Sequence, residues 1–222
     1  MSGLRHMSET GKGDAYYKHA RPKILPFIPD PCSRVLDVGC GGGLFGELLK
    51  KERNCEVWGV EPVAEAADEA KIHLDNVINK KFLKEIGLPS NHFDVIVFND
   101  SLEHFPYPEP PLQYAKELLD LNGVLVCSIP NVRYIENVKH LLIDKDWKYT
   151  DEGILDHTHL RFFTKKSIRR TLENNGFEIL KLDGINSHKW SGWKLNFLKA
   201  VFGKKIEDMR WLQFVVVARV AQ

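Results

Sequence analysis

The chain has 222 residues, of which 43% are hydrophobic and 27% are charged, and its formal net charge is +1. This composition is close to that of an average soluble domain, so it excludes intrinsic disorder as the overall state. The near-neutral charge argues against a nucleic-acid partner held by electrostatics, and the lack of any run of about 18 apolar residues argues against a transmembrane helix.

The N-terminal part of the chain is predicted to contain a tail and an interrupted helix. Residues 1–14 are polar and lack an apolar core segment, so we expect a flexible tail rather than a secretory signal. Residues 16–28 have the composition of a lead-in helix that Pro22 and Pro26 interrupt. Tyr17 and Arg21 in this segment are candidates to close over a ligand, and Arg21 can pair with a ligand carboxylate.

From residue 34 on, the sequence alternates between predicted strands and helices. Continuous apolar strands in such an order indicate an α/β fold, in which a mostly parallel, doubly wound sheet is covered on both faces. Thr164 has the residue type of a helix N-cap. The predicted elements are strands over 34–38, 55–60, 77–78, 93–98, 123–129, 177–182 and 212–220, and helices over 44–51, 64–73, 111–121 and 165–174.

Residues 15–222 are predicted to form one domain with two unusual segments. The connection 132–163 is long enough to be a lid or a substrate loop. The extension 184–211 is amphipathic, and its residues 189–210 carry a net charge of +4. This stretch packs on its own domain, on a second subunit of a homodimer, or on an anionic membrane surface in peripheral contact.

A CxxC spacing or local pairing of cysteines would indicate a zinc site or a disulfide framework, and the four cysteines of this chain show neither pattern. We therefore expect free thiols in a cytoplasmic protein. They are Cys32, Cys40, Cys55 and Cys127.

A glycine-rich loop joins the first predicted strand to the first helix. Gly39, Cys40, Gly41 and Gly43 follow Asp37 directly after the strand, where open α/β sheets bind their ligands. Glu61 closes the second strand, 24 residues after Asp37, and a carboxylate there can accept hydrogen bonds from ribose hydroxyls. The loop contains no Gly-Lys-Ser/Thr sequence, which excludes a P-loop.

Two cofactors compete for this loop. Residues 41–46 match the dinucleotide pattern G-x-G-x-x-G, but the match is displaced from the turn, which begins at Gly39. Asp37 would face a pyrophosphate poorly, whereas it can hold an ammonium group directly or through water. A ligand with an amino acid at one end and a ribose at the other fits both acids, and S-adenosylmethionine (SAM) is such a ligand.

These motifs resemble those of class I SAM-dependent methyltransferases over about residues 15–182. The residues that carry the resemblance are Val35–Gly43, Glu61, Asp94 and Glu103-His104. The chain resembles in particular a bacterial branch found with surface-polysaccharide and O-antigen synthesis, through residues 101–104, 129–131 and 153–164. The resemblance implies a Rossmann-like sheet of seven strands with the last antiparallel, and methyl transfer to a hydroxyl of a sugar or glycan precursor. The alternatives are an NAD-dependent oxidoreductase and a non-catalytic SAM-binding protein.

The resemblance also locates further cofactor contacts. The family often has an acid after the third strand to meet adenine, but Asn79-Lys80-Lys81-Phe82 stands there, which leaves this contact to backbone groups near Phe82. Asn99 and Asp100 follow the fourth strand and can present oxygens to the ammonium of the methionine moiety. The predicted cofactor-binding residues are Tyr17, Arg21, Asp37, Gly39, Cys40, Gly41, Gly43, Glu61, Phe82, Asn99 and Asp100.

Glu103 and His104 are predicted to point toward the entrance for an acceptor. Ubiquinone-biosynthesis-type O-methyltransferases, a related branch, carry an acid-x-x-Glu-His pattern that can bind a divalent metal, and Asp100, Glu103 and His104 match it. We favour the alternative in which Glu103 caps the next turn and His104 packs near Phe105, and we predict no metal.

The segment 156–163 combines polar groups with aromatic residues. Methyl transfer to oxygen needs a base that takes the hydroxyl proton, and histidine titrates near neutral pH. His157 and His159 alternate, so we expect only one to face the acceptor, and we choose His159 with Asp156 as its orienting partner. His104 and Glu103 are the next candidates for catalysis. The alternative is that this loop is a structural clasp.

Overall fold

The computed structural model of the protein describes residues 20–187, 200 and 203–221. Seven strands form one sheet in the order β3-β2-β1-β4-β5-β7-β6. Strands β1 to β5 pair in parallel, and β7 is antiparallel to both of its neighbours. The strands are β1 Arg34–Val38, β2 Glu56–Val60, β3 Asn76–Ile78, β4 Phe93–Asn99, β5 Leu119–Pro130, β6 Phe177–Ser187 and β7 Trp211–Val220. The predicted seven-stranded sheet with an antiparallel last strand is confirmed.

Helices cover both faces of this sheet. The helices are α1 Leu44–Arg53, α2 Ala64–His73, α3 Glu109–Leu118, α4 Ile135–Lys139 and α5 Lys165–Asn174. Alternate residues along β4 belong to two separate apolar clusters, with Ile96 and Phe98 in one and Val95 and Val97 in the other. Helices α3 and α5 pack into the first cluster, and α1 and α2 contribute to the second. The sheet is therefore doubly wound, as the continuous apolar strands predict.

Helix α5 forms where its sequence predicts it. The Thr164 hydroxyl accepts a hydrogen bond from the backbone N–H of Ser167, and the Ser167 hydroxyl accepts one from the N–H of Thr164. This reciprocal pair satisfies two N–H groups that a helix start leaves open. Gly176 follows the helix with a φ of 79°, a conformation that glycine adopts at little cost.

Two predicted elements differ in the structure. The helix predicted over 111–121 spans Glu109–Leu118, because Leu119 already pairs with Phe93 as the start of β5. Residues 16–19 lie outside the described part of the chain, and residues 20–28 contain only a 3-10 turn over Leu25–Phe27. The lead-in helix is therefore wrong for residues 20–28, since Arg21 has a φ of 46° and Pro26 cannot donate a hydrogen bond.

The two unusual segments have structure of their own. The connection 132–163 contains α4 and a π-helical turn over His140–Asp144, and its end pairs with β5 through a bridge between Asn131 and Phe163. The predicted extension 184–211 is shorter than expected, because β6 continues to Ser187 and β7 begins at Trp211. Residues 203–210 form a 3-10 helix, whereas 188–199 and 201–202 lie outside the described residues, as do the predicted tail 1–14 and Tyr17.

Candidate functional site

Two cavities adjoin each other at the edge where the parallel strands end. One, of about 560 Å³, is called the glycine-loop cavity, and the other, of about 460 Å³, is called the His159 cavity. Arg21 and Asp100 line both. The glycine-loop cavity is lined by Asp37, Gly39, Cys40, Gly41, Val63, Glu61, Lys81, Phe82, Leu83, Asn99, Ser101 and His104 among others. The His159 cavity is lined by Lys23, Ile24, Glu103, Ser128, Glu152, Ile154, Asp156, His159, Asn186, Leu212 and Gln213 among others.

Three buried polar side chains face the glycine-loop cavity without a hydrogen-bond partner among the described residues. They are Asp37, Asn99 and Ser101, which are 1%, 5% and 8% exposed. Buried polar groups are almost always paired in a folded protein, so such a group at a cavity indicates a missing ligand. Burial raises the pKa of Asp37 to about 7, although the nearby Arg21 guanidinium opposes this shift. A ligand cation at Asp37 would therefore stabilise its charged form.

Glu61 holds the glycine loop in shape. One carboxylate oxygen accepts a hydrogen bond from the N–H of Gly41 at 2.9 Å, and the other accepts one from the N–H of Val63 at 3.0 Å. Burial raises the pKa of Glu61, and these two N–H donors act in the opposite direction. Each oxygen keeps a second lone pair, so the carboxylate can still accept two bonds from a ligand.

Gly43 and Phe82, two of the predicted cofactor residues, differ in their position relative to the glycine-loop cavity. Gly43 is absent from the lining of the glycine-loop cavity, and a Cβ atom there would lie 3.0 Å from Cα of Ala70 on α2. Gly43 thus serves the packing of α1 on α2. Phe82 lines the cavity, but its ring packs in the core against Phe98 and Tyr114.

Asp100 joins three distant parts of the chain in the wall between the two cavities. It forms an ion pair with Arg21, accepts a hydrogen bond from the Ser128 hydroxyl at 2.9 Å, and accepts another from the Gln213 amide at 2.7 Å. Asp100 also lines the glycine-loop cavity, so its predicted contact with the methionine ammonium stays a prediction.

Glu103, His104 and His159 meet at the boundary of the two cavities. The imidazole centroids lie 4.8 Å apart, and Nε2 of His159 lies 3.8 Å from Oε1 of Glu103, which is 1% exposed. One ligand atom from each residue lies within 4.8 Å of the others, so these three could hold a metal ion. The predicted lack of a metal stays a prediction.

The orientation of His159 depends on a backbone carbonyl. Nδ1 of His159 lies 3.0 Å from the oxygen of Ile154. A carbonyl only accepts, so Nδ1 donates this hydrogen bond, and Nε2 is the basic nitrogen of the neutral ring. Asp156 accepts hydrogen bonds from the N–H and hydroxyl of Thr158, and its predicted role as the orienting partner of His159 stays a prediction. His157 is exposed and His159 is buried, in agreement with their predicted alternation.

The loop that carries His159 is also a clasp. The N–H groups of Leu160 and Arg161 donate to the carbonyl of Glu103 at 2.9 and 3.0 Å, and Nε of Arg161 donates to the carbonyl of Pro106 at 2.6 Å. The loop is therefore a structural clasp, and the catalytic role of His159 stays a prediction. These bonds fix His159 relative to Glu103.

The structure brings together residues that the sequence analysis missed. Ser101, Val63, Lys81 and Leu83 line the glycine-loop cavity. Asn186 and Gln213 line the His159 cavity. The position of Ser101 at the end of β4 was a signal for it, whereas nothing local marks Asn186 or Gln213.

Comparison with known proteins assigns the family. A family model described as "Methyltransferase domain" matches residues 10–182. The chain belongs to this methyltransferase family. It is a SAM-dependent methyltransferase with SAM as its cofactor, and the oxidoreductase alternative is wrong.

Named relatives agree with this assignment. The chain is 24% identical over 164 residues to the ubiquinone biosynthesis O-methyltransferase of Neisseria meningitidis serogroup A, covering 70% of this chain and 68% of the relative. It is 27% identical over 159 residues to the enzyme of the same name from Coxiella burnetii strain RSA 331, covering 69% and 67%.

Solved structures share the fold. A SAM-dependent methyltransferase from Archaeoglobus fulgidus aligns with a TM-score of 0.66 at 21% identity, covering 93% of this chain and 94% of that one. One from Aquifex aeolicus aligns with a TM-score of 0.61 at 16% identity, covering 94% and 99%.

In the described part of this chain, no helix is long and apolar enough to cross a membrane. The four cysteines are buried free thiols, as predicted.

Proposed function

We propose that the protein transfers the SAM methyl group to a hydroxyl of a sugar or glycan precursor, in the chemistry of surface-polysaccharide synthesis. The observation that carries this proposal is the His159 cavity, which shares Arg21 and Asp100 with the glycine-loop cavity. A methyl group held in one cavity would lie next to an acceptor in the other. Ten of the 18 residues that line the His159 cavity have hydrogen-bonding side chains.

The glycine-loop cavity suits SAM along its whole length. Asp37 and Asn99 would bind the methionine ammonium, and the unpartnered polar atoms of both support this role. Glu61 would accept hydrogen bonds from the ribose hydroxyls, while backbone groups of Lys81–Leu83 would lie along the adenine. Arg21 lines this cavity and would pair with the cofactor carboxylate.

Replacing Glu61 with glutamine is expected to weaken SAM binding by about 1–3 kcal/mol. The substitution removes the charge and turns an amide NH₂ toward the N–H of Gly41 or Val63, which are both donors. Titration calorimetry with SAM measures the effect, and Glu65→Gln, an exposed glutamate on α2, is the control. Binding within twofold of the wild-type value would remove Glu61 from the cofactor site.

His159 is proposed as the general base. Bound SAM supplies an electrophilic sulfonium methyl. As the O–C bond forms and the S–C bond breaks, S-adenosylhomocysteine would leave and Nε2 of His159 would take the hydroxyl proton. Nε2 is the nitrogen for this step, because Nδ1 donates to the carbonyl of Ile154 and His159 lines the acceptor cavity. Glu103, 3.8 Å from Nε2, stabilises the imidazolium that results. His104 lines the cofactor side of the same boundary and is the second candidate.

The named relatives are O-methyltransferases of ubiquinone biosynthesis, so a sugar acceptor needs a separate argument. None of the described residues that line the His159 cavity is Phe, Tyr or Trp. Aromatic rings and lipid tails bind best to apolar or aromatic walls. Here carboxylates, carboxamides, a lysine and a serine line much of the wall. Such a wall favours an acceptor with many hydroxyl groups.

A methylation assay with two acceptor panels tests this proposal. Methyl glycosides of neutral hexoses and 6-deoxyhexoses form one panel, and catechols form the other. We expect S-adenosylhomocysteine release and methyl addition by mass spectrometry with at least one glycoside, and unchanged activity in EDTA. Methylation of catechols alone would overturn the sugar assignment. Loss of activity in EDTA that magnesium or zinc restores would make Glu103, His104 and His159 metal ligands.

A further inference from the structure

A chain of hydrogen bonds runs along one wall of the His159 cavity. Nζ of Lys23 donates to Oδ1 of Asn186 at 2.5 Å, and Nδ2 of Asn186 donates to Oε1 of Gln213 at 2.7 Å. Nε2 of Gln213 then donates to Oδ2 of Asp100 at 2.7 Å. All four residues line the cavity, although they come from the N-terminal segment and from the ends of β6, β7 and β4.

The two ends of this chain determine its direction. The Lys23 ammonium can only donate, and the Asp100 carboxylate, already paired with Arg21, accepts. Each carboxamide between them must therefore turn its oxygen toward Lys23 and its nitrogen toward Asp100. The orientation of Asn186 and Gln213 is consequently fixed, whereas an isolated amide could flip by 180°.

Because the orientation of both amides is fixed, the N–H groups that remain available to a ligand can be named. Each amide nitrogen carries two hydrogens, and among the described residues only one hydrogen of Asn186 and one of Gln213 is engaged. The remaining two N–H donors come from neighbouring antiparallel strands, because Gln213 pairs with Ile185, the residue before Asn186. Glu103 and Glu152, which line the same cavity, provide carboxylate acceptors.

We propose that Asn186 and Gln213 form the acceptor-binding pair, which grips adjacent ring hydroxyls of a neutral polyhydroxylated acceptor; this inference rests on the proposed function. A sugar hydroxyl can accept from an amide N–H and donate to a carboxylate at the same time. A row of fixed donors beside carboxylates therefore matches a diol, whereas a ligand with a single hydroxyl would leave one donor unpaired at a cost in affinity.

The pair is separate from the cofactor contacts. Neither Asn186 nor Gln213 lines the glycine-loop cavity. Asp100 would keep its ion pair with Arg21 and its bond from Ser128 when the Gln213 side chain is removed. Substitutions of the pair are therefore expected to change acceptor binding and to leave cofactor affinity nearly unchanged.

Two variants test the pair. Gln213→Leu removes the amide at similar size, and Asn186→Gly suits the Asn186 φ of 55°, which glycine adopts freely. Gln113→Leu is the matched control, since Gln113 is an exposed amide on α3 that bonds Asn175 away from both cavities. Each protein is saturated with S-adenosylhomocysteine and titrated with methyl α-D-mannopyranoside and methyl α-L-rhamnopyranoside, followed by saturation-transfer NMR. The KM and kcat for any methylated glycoside are measured in parallel.

We expect the wild-type protein and Gln113→Leu to bind at least one glycoside. Gln213→Leu and Asn186→Gly should weaken that binding, and raise KM, by about five- to twentyfold, with S-adenosylhomocysteine affinity within twofold. If both variants bind the glycoside as tightly as the wild-type protein, Asn186 and Gln213 are not the acceptor-binding pair, and the proposed function still stands. A wild-type protein that neither binds nor methylates a glycoside would overturn both. Loss of cofactor affinity together with glycoside affinity would assign the pair a structural role instead.

Discussion

Replacing Asp37 with asparagine is expected to weaken SAM binding by about 10- to 150-fold, because a hydrogen bond to a charged group contributes about 1.5–3 kcal/mol. Asparagine has the same size, but it cannot ionise opposite the methionine ammonium. Titration calorimetry at pH 8 measures the loss. Asp68→Asn, a change in an exposed residue on α2, is the control. Unchanged affinity in the Asp37 variant would place the ammonium elsewhere in the glycine-loop cavity.

The raised pKa of Asp37 adds a pH dependence to this result. With a pKa of about 7 in the free protein, the carboxyl is largely protonated at pH 6, so SAM must displace a proton to bind. Wild-type affinity is therefore expected to increase about tenfold between pH 6 and pH 8. The Asp37→Asn variant should lack this increase. Calorimetry in two buffers of different ionisation enthalpy should show proton release when SAM binds to the wild-type protein and none when it binds to the variant.

The raised pKa of Asp37 also means that its ionised carboxylate lowers the free energy of unfolding of the ligand-free protein. The unfolded carboxyl titrates near 3.8 and the folded one near 7, so the native state holds the additional proton between these values. The free energy of unfolding consequently falls as the pH rises through this window, and the cost is fully present above pH 7. Ligand-free Asp37→Asn should melt at a higher temperature than wild type at pH 8 and at nearly the same temperature at pH 4.

Replacing His159 with glutamine is expected to lower kcat by about 10²–10⁴-fold, which is the usual contribution of a positioned general base. SAM affinity should change little, because His159 lines the acceptor side of the boundary and not the glycine-loop cavity. Stopped-time assays with a saturating acceptor measure kcat. The acid limb of the wild-type pH profile should also disappear in the variant.

His157→Gln is the matched control for this change, since His157 is an exposed imidazole two residues away. A folded His159→Gln protein with normal kcat would contradict the assignment. The base would then be His104 or Glu103, which approach from the end of β4. If these substitutions are also harmless, catalysis depends on holding the acceptor in line with the methyl group.

The cofactor side of the site could be predicted from the sequence because its residues lie at strand ends. Asp37, Glu61 and Asn99 each occupy the carboxyl end of a buried parallel strand, and local patterns place such residues together. Gly43 shows the limit of this reasoning. Its type fits a cofactor loop, but only the position of α2 shows that it serves helix packing.

The acceptor side could not be predicted in the same way. Asp100 and Gln213 are 113 residues apart in the chain and meet only because β7 lies beside β5. The partner of His159 is the carbonyl of Ile154, and a backbone group carries no residue type that a sequence pattern could detect. Hydrogen bonds between distant loops, or to the backbone, depend on tertiary structure that local patterns do not specify.

The strand order β5-β7-β6 has a consequence for biosynthesis. Strand β6 leaves the ribosome before β7, yet β7 lies between β6 and the rest of the sheet. Until residues 211–220 are available, β6 has no strand to pair with, and the edge of β5 is exposed with its apolar residues Val124 to Cys127. Unpaired apolar edges are templates for aggregation. We therefore expect a nascent chain stalled before Trp211 to need chaperones, and the cavity wall that includes Gln213 is assembled last.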